Sequence, residues 1–287
     1  MYFYDIMLLM SKLPVIAAVP NYNMGENLKS LIPTLLNQDY AAVYILDDAS
    51  TDDSIDIVKS YGSDVNLIRG QENVGAGSNR NRIIGHVGSS IIHFIDADME
   101  LKTPDTPNIA SDRFNFYQER GVGVMGGLVS RSDGSQEPYN YGPMFSLITN
   151  TTAGLPLVID RLKDKPYTAV RVRQLGQAIM KNWPNVLSPP TATETFWVHE
   201  GNMFIASDLF SKIGGYDPKL RAHETQDLSL RLEKKGIKRQ FDPSVEVIHH
   251  YIDVRGNQRN NEQLKAMAYL IHKHGILNWI NPKLAQS

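Results

Sequence analysis

Four short apolar runs, separated by stretches of helical pattern, constrain what these 287 residues can fold into more than any other feature. They are Val15-Ile16-Ala17-Ala18-Val19, Val43-Tyr44-Ile45-Leu46, Leu67-Ile68 and Ile91-Ile92-His93-Phe94-Ile95. Each is too short for a helix core and is rich in aliphatic, mostly β-branched residues, the pattern of a buried strand. Strands alternating with helices predict parallel βαβ units, hence an α/β chain with a Rossmann-like, mostly parallel, doubly wound sheet. The first run stops at Pro20, and a helical pattern follows over 27–36. The second ends at Asp47-Asp48, with Ser50 or Thr51 as cap for the next helix and Asp52 and Asp53 favourable in its first turn. A Gly/Asn-rich turn after the third leads into a helix over 80–87, and the fourth opens into Asp96-Ala97-Asp98.

Ligands of such sheets lie beyond the carboxyl ends of the strands, where Asp47, Asp48, Asp96 and Asp98 all fall. Asp96 and Asp98, one residue apart where a buried strand becomes a loop, form a small hard-oxygen clamp suited to a divalent cation bridging phosphate oxygens. Taken alone the pair is weak, because acidic residues after strands commonly just solvate a turn.

After Glu100 the regular alternation lapses. Val122 to Val129 resembles another strand, and residues 137–195 hold several prolines and a basic helical segment, Val170 to Lys181. That stretch is where specificity would be built. Met203-Phe204-Ile205-Ala206 is strand-like and leads to the turn Gly214-Gly215-Tyr216-Asp217. Leu228 and Leu232 stand one helical turn apart, with Gly236 suited to the helix end. Val245 to His250 forms a last strand, and an amphipathic helix closes the chain over 263–280. With no internal repeat and no low-complexity linker, one domain is expected over 14–255. Its nucleotide-binding half would be 14–100 and its acceptor-binding half 101–255. An extension, 1–13, precedes it and a helical segment, 256–287, follows.

A net charge of −2 offers no global attraction for nucleic acid. The absence of cysteine removes disulfides, thiolate zinc sites and cysteine nucleophiles, and is compatible with a reducing cytosol. No apolar stretch is long enough to span a bilayer. Met1 to Met10 is apolar and aromatic but lacks the basic region and cleavage site of a signal peptide, and Met10-Ser11-Lys12 reads as an ordinary start. The expected location is cytoplasmic, with peripheral association at the inner membrane face as the alternative. Arg171, Arg173 and Lys181 read first as a solvated face, and second as a contact for an anionic acceptor or a membrane surface.

In this order the motifs resemble family-2 glycosyltransferases of the GT-A fold, over Val15 to His250. Pro20-Asn21-Tyr22-Asn23 resembles the family's first loop, and Asp47-Asp48-Ala49-Ser50-Thr51-Asp52 its Asp-Asp-x-Ser-x-Asp signature. Asn73-Val74-Gly75 with Asn79-Arg80-Asn81 is similar to its Asn-x-Gly…Ala-Arg-Asn segment. Asp96-Ala97-Asp98 matches the metal motif and Gly214-Gly215-Tyr216-Asp217 the Gly-Gly-Phe-Asp turn. The resemblance implies a nucleotide-sugar donor, a UDP-sugar favoured, a Mn2+ or Mg2+ cofactor and a glycan or lipid-linked acceptor, in glycan or cell-surface polysaccharide synthesis. Asp98 would ligate the metal, with Asp96 near the ribose or reaching the metal through water. His249 would be the third ligand, since alternation sends His249 and His250 to opposite faces. Pro20, Asn21 and Tyr22 would line the base pocket. Asp48 would accept from a base N–H, or else cap a helix beside Ser50. Gly75 and Gly77 would let the backbone pass close to the nucleotide, with Ala97 beside it. Arg80 would pair with the phosphates or pack beneath them, and Arg82 would be structural.

One departure matters. Inverting members usually place a catalytic aspartate just before the helix that begins here near Leu228, and this chain has Thr225 there, within His223-Glu224-Thr225-Gln226-Asp227. Glu224 and Asp227 flank it, and either is a candidate general base or only a favourable charge at the helix start. A similar Glu-Asn-x-Glu arrangement in retaining polypeptide N-acetylgalactosaminyltransferases leaves the stereochemical outcome open. On the acceptor side, Glu200 is a further candidate and Trp197 a stacking surface for a sugar ring. Three other readings compete. A sugar-phosphate nucleotidyltransferase would want a basic glycine-rich loop after the first strand, which Pro20-Asn21-Tyr22-Asn23 lacks; a dinucleotide oxidoreductase fails on the same point. A degenerate sugar-nucleotide-binding scaffold is motivated by Thr225 and opposed by the Asp96/Asp98 pair.

Overall fold

The computed structural model describes residues 12–179, 183–250 and 258–280. The four apolar runs are strands: β1 (Val15–Asn21), β2 (Ala42–Asp47), β3 (Asn66–Arg69) and β4 (Ile91–Ile95). They lie parallel in the order β3-β2-β1-β4. Every residue of β1 and β4 is buried, because both faces of this half are covered. Alternation sorts the side chains between two cores. Ala17 and Val19 meet Leu28, Leu31 and Leu35 of the helix Gly25–Leu36, with Val58 of the helix Ser54–Ser60. Ile16 and Ala18 face the other way, into Phe210, Tyr216, Leu228 and Leu232.

The second half extends the same sheet. β5 (Met99–Leu101) follows β4 closely, and β6 (Val122–Arg131) comes after a helix, Thr106–Gln118. β7 (Tyr141–Gly142) and β9 (Trp197–Val198) make a separate ribbon. β10 (Asn202–Ala206) enters antiparallel between β4 and β6, and β11 (Lys238–His249) runs parallel to β6. β5 and β8 (Thr193–Thr195) pair antiparallel with β11. β6 and β11 thus keep the direction of the first four strands, whereas β10 at the seam and β5 and β8 beside β11 are reversed.

Several boundaries differ from expectation, each for a local reason. β1 does not stop at Pro20 but runs through it, opposite Leu46. Its pairing with β4 ends at Ala18↔Phe94, so the proline lies where only one side is paired. The helix after β2 starts at Ser54 and not at Ser50, whose hydroxyl is used elsewhere. The helix expected over 80–87 is instead Ala76–Arg80 with a following 3-10 turn, Asn81–Ile83, preceded by Gly75 at φ 89°. Thr106–Gln118 was hidden because its buried stripe, Thr106, Ala110, Phe114 and Tyr117, is flanked by Asn108, Asp112, Arg113 and Asn115. β11 begins well before Val245, its first part masked by buried Arg239 and Gln240 and interrupted by a register shift between Phe241 and Glu246. The closing helix is two helices, Gln258–His274 and Ile276–Ile280, divided at Gly275 with φ 94°. The basic helix spans Ala169–Ile179; Lys181 and Met1 to Met10 lie outside the described residues.

Candidate active site

The expected carboxylates do collect at the carboxyl end of the parallel strands, but much of their bonding capacity goes to holding loops. Asn21 ends β1 at 2% exposure, and its amide donates to Asp47 Oδ1 at 3.0 Å and Ser50 Oγ at 3.1 Å. Ser50 Oγ also accepts from the Asn23 N–H at 2.9 Å, and Asp47 from the Ser50 N–H at 3.1 Å. The loops after β1 and β2 are therefore stitched together, leaving Tyr22 exposed at the rim. Asp48 is buried and accepts from the N–H groups of Val74 at 3.0 Å and Gly75 at 2.9 Å, with Arg82 Nη2 3.4 Å away. Asp48 does not cap a helix. Both its oxygens are committed to the Asn73-Val74-Gly75 loop, so recognition of a base N–H requires one of these bonds to exchange. Arg82 donates to Asn79 Oδ1 at 3.0 Å and to the Glu72 carbonyl at 3.3 Å, so its guanidinium is turned toward this loop.

Arg80 does not reach out to a phosphate. It is 1% exposed, with its guanidinium carbon 6.0 Å from the Phe94 ring and 5.9 Å from the Tyr216 ring. Its Nη2 pairs with Asp96 Oδ1, and Nη1 lies 3.7 Å from Glu200 Oε1. Of its two expected roles only packing beneath the site fits this burial. Burial raises the Asp96 carboxyl above its ordinary range, Arg80 pulls it back, and the like charges of Asp98 and Glu200 push it up again. Gly201 leaves room for this arrangement, since a Cβ there would lie 2.7 Å from Asp96 Oδ2.

Asp98 turns the other way. β11 is registered so that His249 stands opposite Met99, next to Asp98. His249 Nε2 comes to 3.3 Å from Asp98 Oδ2, and its Nδ1 to 3.5 Å from Glu137 Oε1. Burial opposes the charge on His249, but Asp98 and Glu137 together raise its pKa to about 9. His250 faces away toward Glu100 at 2.8 Å, as alternation requires. His199, its ring 6.2 Å from that of His249, and Glu137 also belong here. Sequence reasoning missed both, because nothing local marks a lone His or Glu as converging on a distant strand. Burial lowers the pKa of His199, whose Nδ1 accepts from the Gly201 N–H at 3.0 Å.

Among the described residues no three His, Asp or Glu side chains gather closely enough to hold a metal ion unaided. The expected set of Asp96, Asp98 and His249 is thus not assembled as three ligands, because Arg80 draws Asp96 aside. Asp98 and His249 remain, a carboxylate oxygen and an imidazole nitrogen, and that donor set fits Mn2+. Phosphate and water oxygens would supply the remaining positions, as is usual where a metal is shared with a nucleotide.

Two expectations for this side of the site, Asp227 as base and Trp197 as stacking surface, do not fit the geometry. Asp227 is fully buried and held by Arg231 Nε at 2.8 Å, Lys273 Nζ at 2.7 Å and His274 Nε2 at 2.8 Å. Burial works against its charge, yet the hydrogen bonds from His274, Lys273 and Arg231 hold its carboxyl far below the usual range. A carboxylate so caged pins two helices together, and both its oxygens are already occupied, which does not suit a general base. Trp197 is not a stacking platform: it lies over Gly142, where a Cβ would be 2.3 Å from Cζ2, and edge-on to Trp183 at 6.4 Å. Glu224 is 4% exposed and packs on Gly77, where a Cβ would meet its Cγ at 2.8 Å. Glu200 is more open, its side chain 21% exposed. Thr225, standing where a base was expected, donates its hydroxyl to Glu200 Oε2 at 2.5 Å.

The sheet order and the carboxylates at its strand ends together define a fold of the GT-A type. The chain belongs to the glycosyl transferase family 2, whose sequence model matches residues 16–166. The uncharacterized glycosyltransferase YibD of Escherichia coli (strain K12) is 36% identical over 95 residues, which are 32% of this chain and 27% of that protein. Among solved structures, the mannosyltransferase PcManGT of Pyrobaculum calidifontis, in complex with GDP-Man and Mn2+, superposes with a TM-score of 0.56 at 17% identity. That match covers 92% of this chain and 65% of PcManGT. GalNAc-T7 with UDP, GalNAc and Mn2+ gives 0.53 at 15% identity, over 85% of this chain and 45% of that one. TarS of S. aureus, residues 1–349 with UDP, gives 0.52 at 16%, over 82% and 60%. These are likenesses of fold, and the chain spans less than two thirds of each relative's length.

Proposed function

We propose that this chain moves a sugar from a nucleotide-sugar donor to a hydroxyl of a glycan or lipid-linked acceptor, with Mn2+ or Mg2+ as cofactor. The observation that carries this is the meeting of Asp98 and His249, 151 residues apart, at 3.3 Å beyond the carboxyl end of β4. These two residues would hold the cation, which when bound offsets the charge of the departing diphosphate. The presence of Mn2+ and of GDP-Man or UDP in the solved structures of PcManGT and GalNAc-T7 supports the same reading. UDP, present with both TarS and GalNAc-T7, keeps a UDP-sugar as the favoured donor.

The chain's own residues would divide the rest of the work. Asn21 and Tyr22 would border the base, and the Val74-Gly75 backbone, braced by Asp48, would run beside the nucleotide. Arg80 fixes Asp96 from below so that it faces the ribose without repelling the phosphates. The acceptor hydroxyl would give its proton to Glu200, oriented by Thr225, as its oxygen bonds to the anomeric carbon and the sugar–phosphate bond breaks toward the diphosphate. Glu224 would be the reserve candidate, deeper against Gly77. With Thr225 holding Glu200 in this way, the loss of the usual aspartate no longer argues for an inactive scaffold.

A thermal-shift panel of UDP-, GDP-, CDP- and dTDP-sugars, with and without Mn2+, tests this, because a ligand of the native state raises its melting temperature. One nucleotide should give a metal-dependent rise that Asp98→Asn removes. A folded protein that responds to none of them refutes the proposal.

A further inference from the structure

The stretch from Leu147 to Lys181 differs from the rest of the chain in charge and in what it shows to solvent. It contains six basic residues against two acidic ones, in a chain whose net charge is −2. One of those acids, Asp160, is consumed internally by Arg131 at 2.7 Å and Lys163 at 2.9 Å. Between the helices Leu155–Leu162 and Ala169–Ile179 lies a turn in which Tyr167 is 97% exposed, and Val170 just after it is 68% exposed. Arg161, Lys165 and Arg171, around the same turn, are exposed as well. The two helices rest on a small cluster of their own, Ile159, Val172, Val186 and Leu187, so the outward residues are not needed to hold them.

An aromatic side chain left almost wholly in water beside an aliphatic one, in a turn where exposed Arg161, Lys165 and Arg171 outnumber the one exposed acid, Asp164, matches a surface that is apolar just beneath a layer of negative charge. Tyrosine favours that boundary, and arginine and lysine stems can lie along it while their heads reach phosphate. The apolar area here is too small and too protruding for a stable protein interface, which needs a broader patch. No helix among the described residues is long and apolar enough to cross a membrane, so such contact would stay at the interface. The turn is also tied to the site: Arg131, which holds Asp160, lies 3.7 Å from Glu137, and Glu137 is 3.5 Å from His249.

We propose that the turn from Arg161 to Arg171 docks the protein on an anionic lipid surface, with Tyr167 and Val170 entering the headgroup layer and Arg161, Lys165 and Arg171 meeting lipid phosphates. The inference goes beyond the transferase reading and stands without it.

The test is co-sedimentation of the full chain with vesicles of phosphatidylcholine alone and of phosphatidylcholine with phosphatidylglycerol, at low and high salt. Binding is expected only with phosphatidylglycerol, and it should weaken as salt screens it. Each lost cation should reduce binding about fivefold, so Lys165→Gln with Arg171→Gln should lose about 25-fold. Tyr167→Ser should weaken binding with all charges kept, and melting temperatures should not change because these side chains are exposed. Equal binding to both vesicle types, binding to neither, or variants that bind like the parent would overturn the proposal. So would light scattering that shows the turn buried in self-association, abolished by Tyr167→Ser.

Discussion

Replacing Arg80 with methionine tests whether one buried cation supports the whole floor of the site. The guanidinium is 1% exposed, pairs with Asp96, faces Glu200 at 3.7 Å and lies between Phe94 and Tyr216. Methionine fills much of the same space but leaves the carboxylates without a counter-charge. Breaking one side of a buried pair costs about 3–5 kcal/mol. The Asp96 side chain is 28% exposed, so water recovers part of the loss and about 3 kcal/mol is expected. For 287 residues the unfolding entropy is about 0.6 kcal/mol/K, which converts this to a fall of about 5 °C in melting temperature. Asp96→Asn in the Arg80→Met background should cost less than the two single changes added, by about 1–2 kcal/mol, because the orphaned charge is gone. Urea unfolding of the four proteins completes the cycle. A single Arg80→Met change within about 1 kcal/mol of the parent, or strictly additive losses, would refute the reasoning.

Three more outcomes follow from the same geometry. Asp227→Asn should lose about 2–3 kcal/mol at neutral pH, since its cations Arg231 and Lys273 are themselves partly exposed. The folded-state pKa of Asp227 is depressed, so its stabilisation is complete above the ordinary carboxylate pKa and fades as pH falls below about 4. Urea midpoints of parent and variant should therefore converge in acid, and a gap that stays constant would contradict the cage. Gly75→Ala forces a side chain onto φ 89° in the loop that Asp48 holds, for a loss of about 1–2 kcal/mol in chemical denaturation. Glu200→Gln should lower turnover at least ~100-fold with donor binding intact, whereas Thr225→Val should lower kcat about tenfold and Thr225→Ser restore it. Turnover by Glu200→Gln close to the parent's would move the base to Glu224.

The parallel half was legible because its signals are local. Length, β-branching and the polar residues that end each run mark β1, β2, β3 and β4 without reference to anything distant. The same locality brought Asp48, Asp96 and Asp98 to the right end of the sheet, and period-two alternation chose His249 over His250. The second half was read poorly where buried polar residues disguise a strand, as Arg239 and Gln240 do in β11, or where polar residues flank a helix stripe, as in Thr106–Gln118. What tertiary structure alone decided is which charges meet. Arg80 finds Asp96 across 16 residues, Thr225 finds Glu200 across 25, and Asp227 finds His274 across 47. A carboxylate looks the same in sequence whether it will be caged, braced or open. The cations and backbone donors around it set its chemistry, and chain folding brings those from elsewhere.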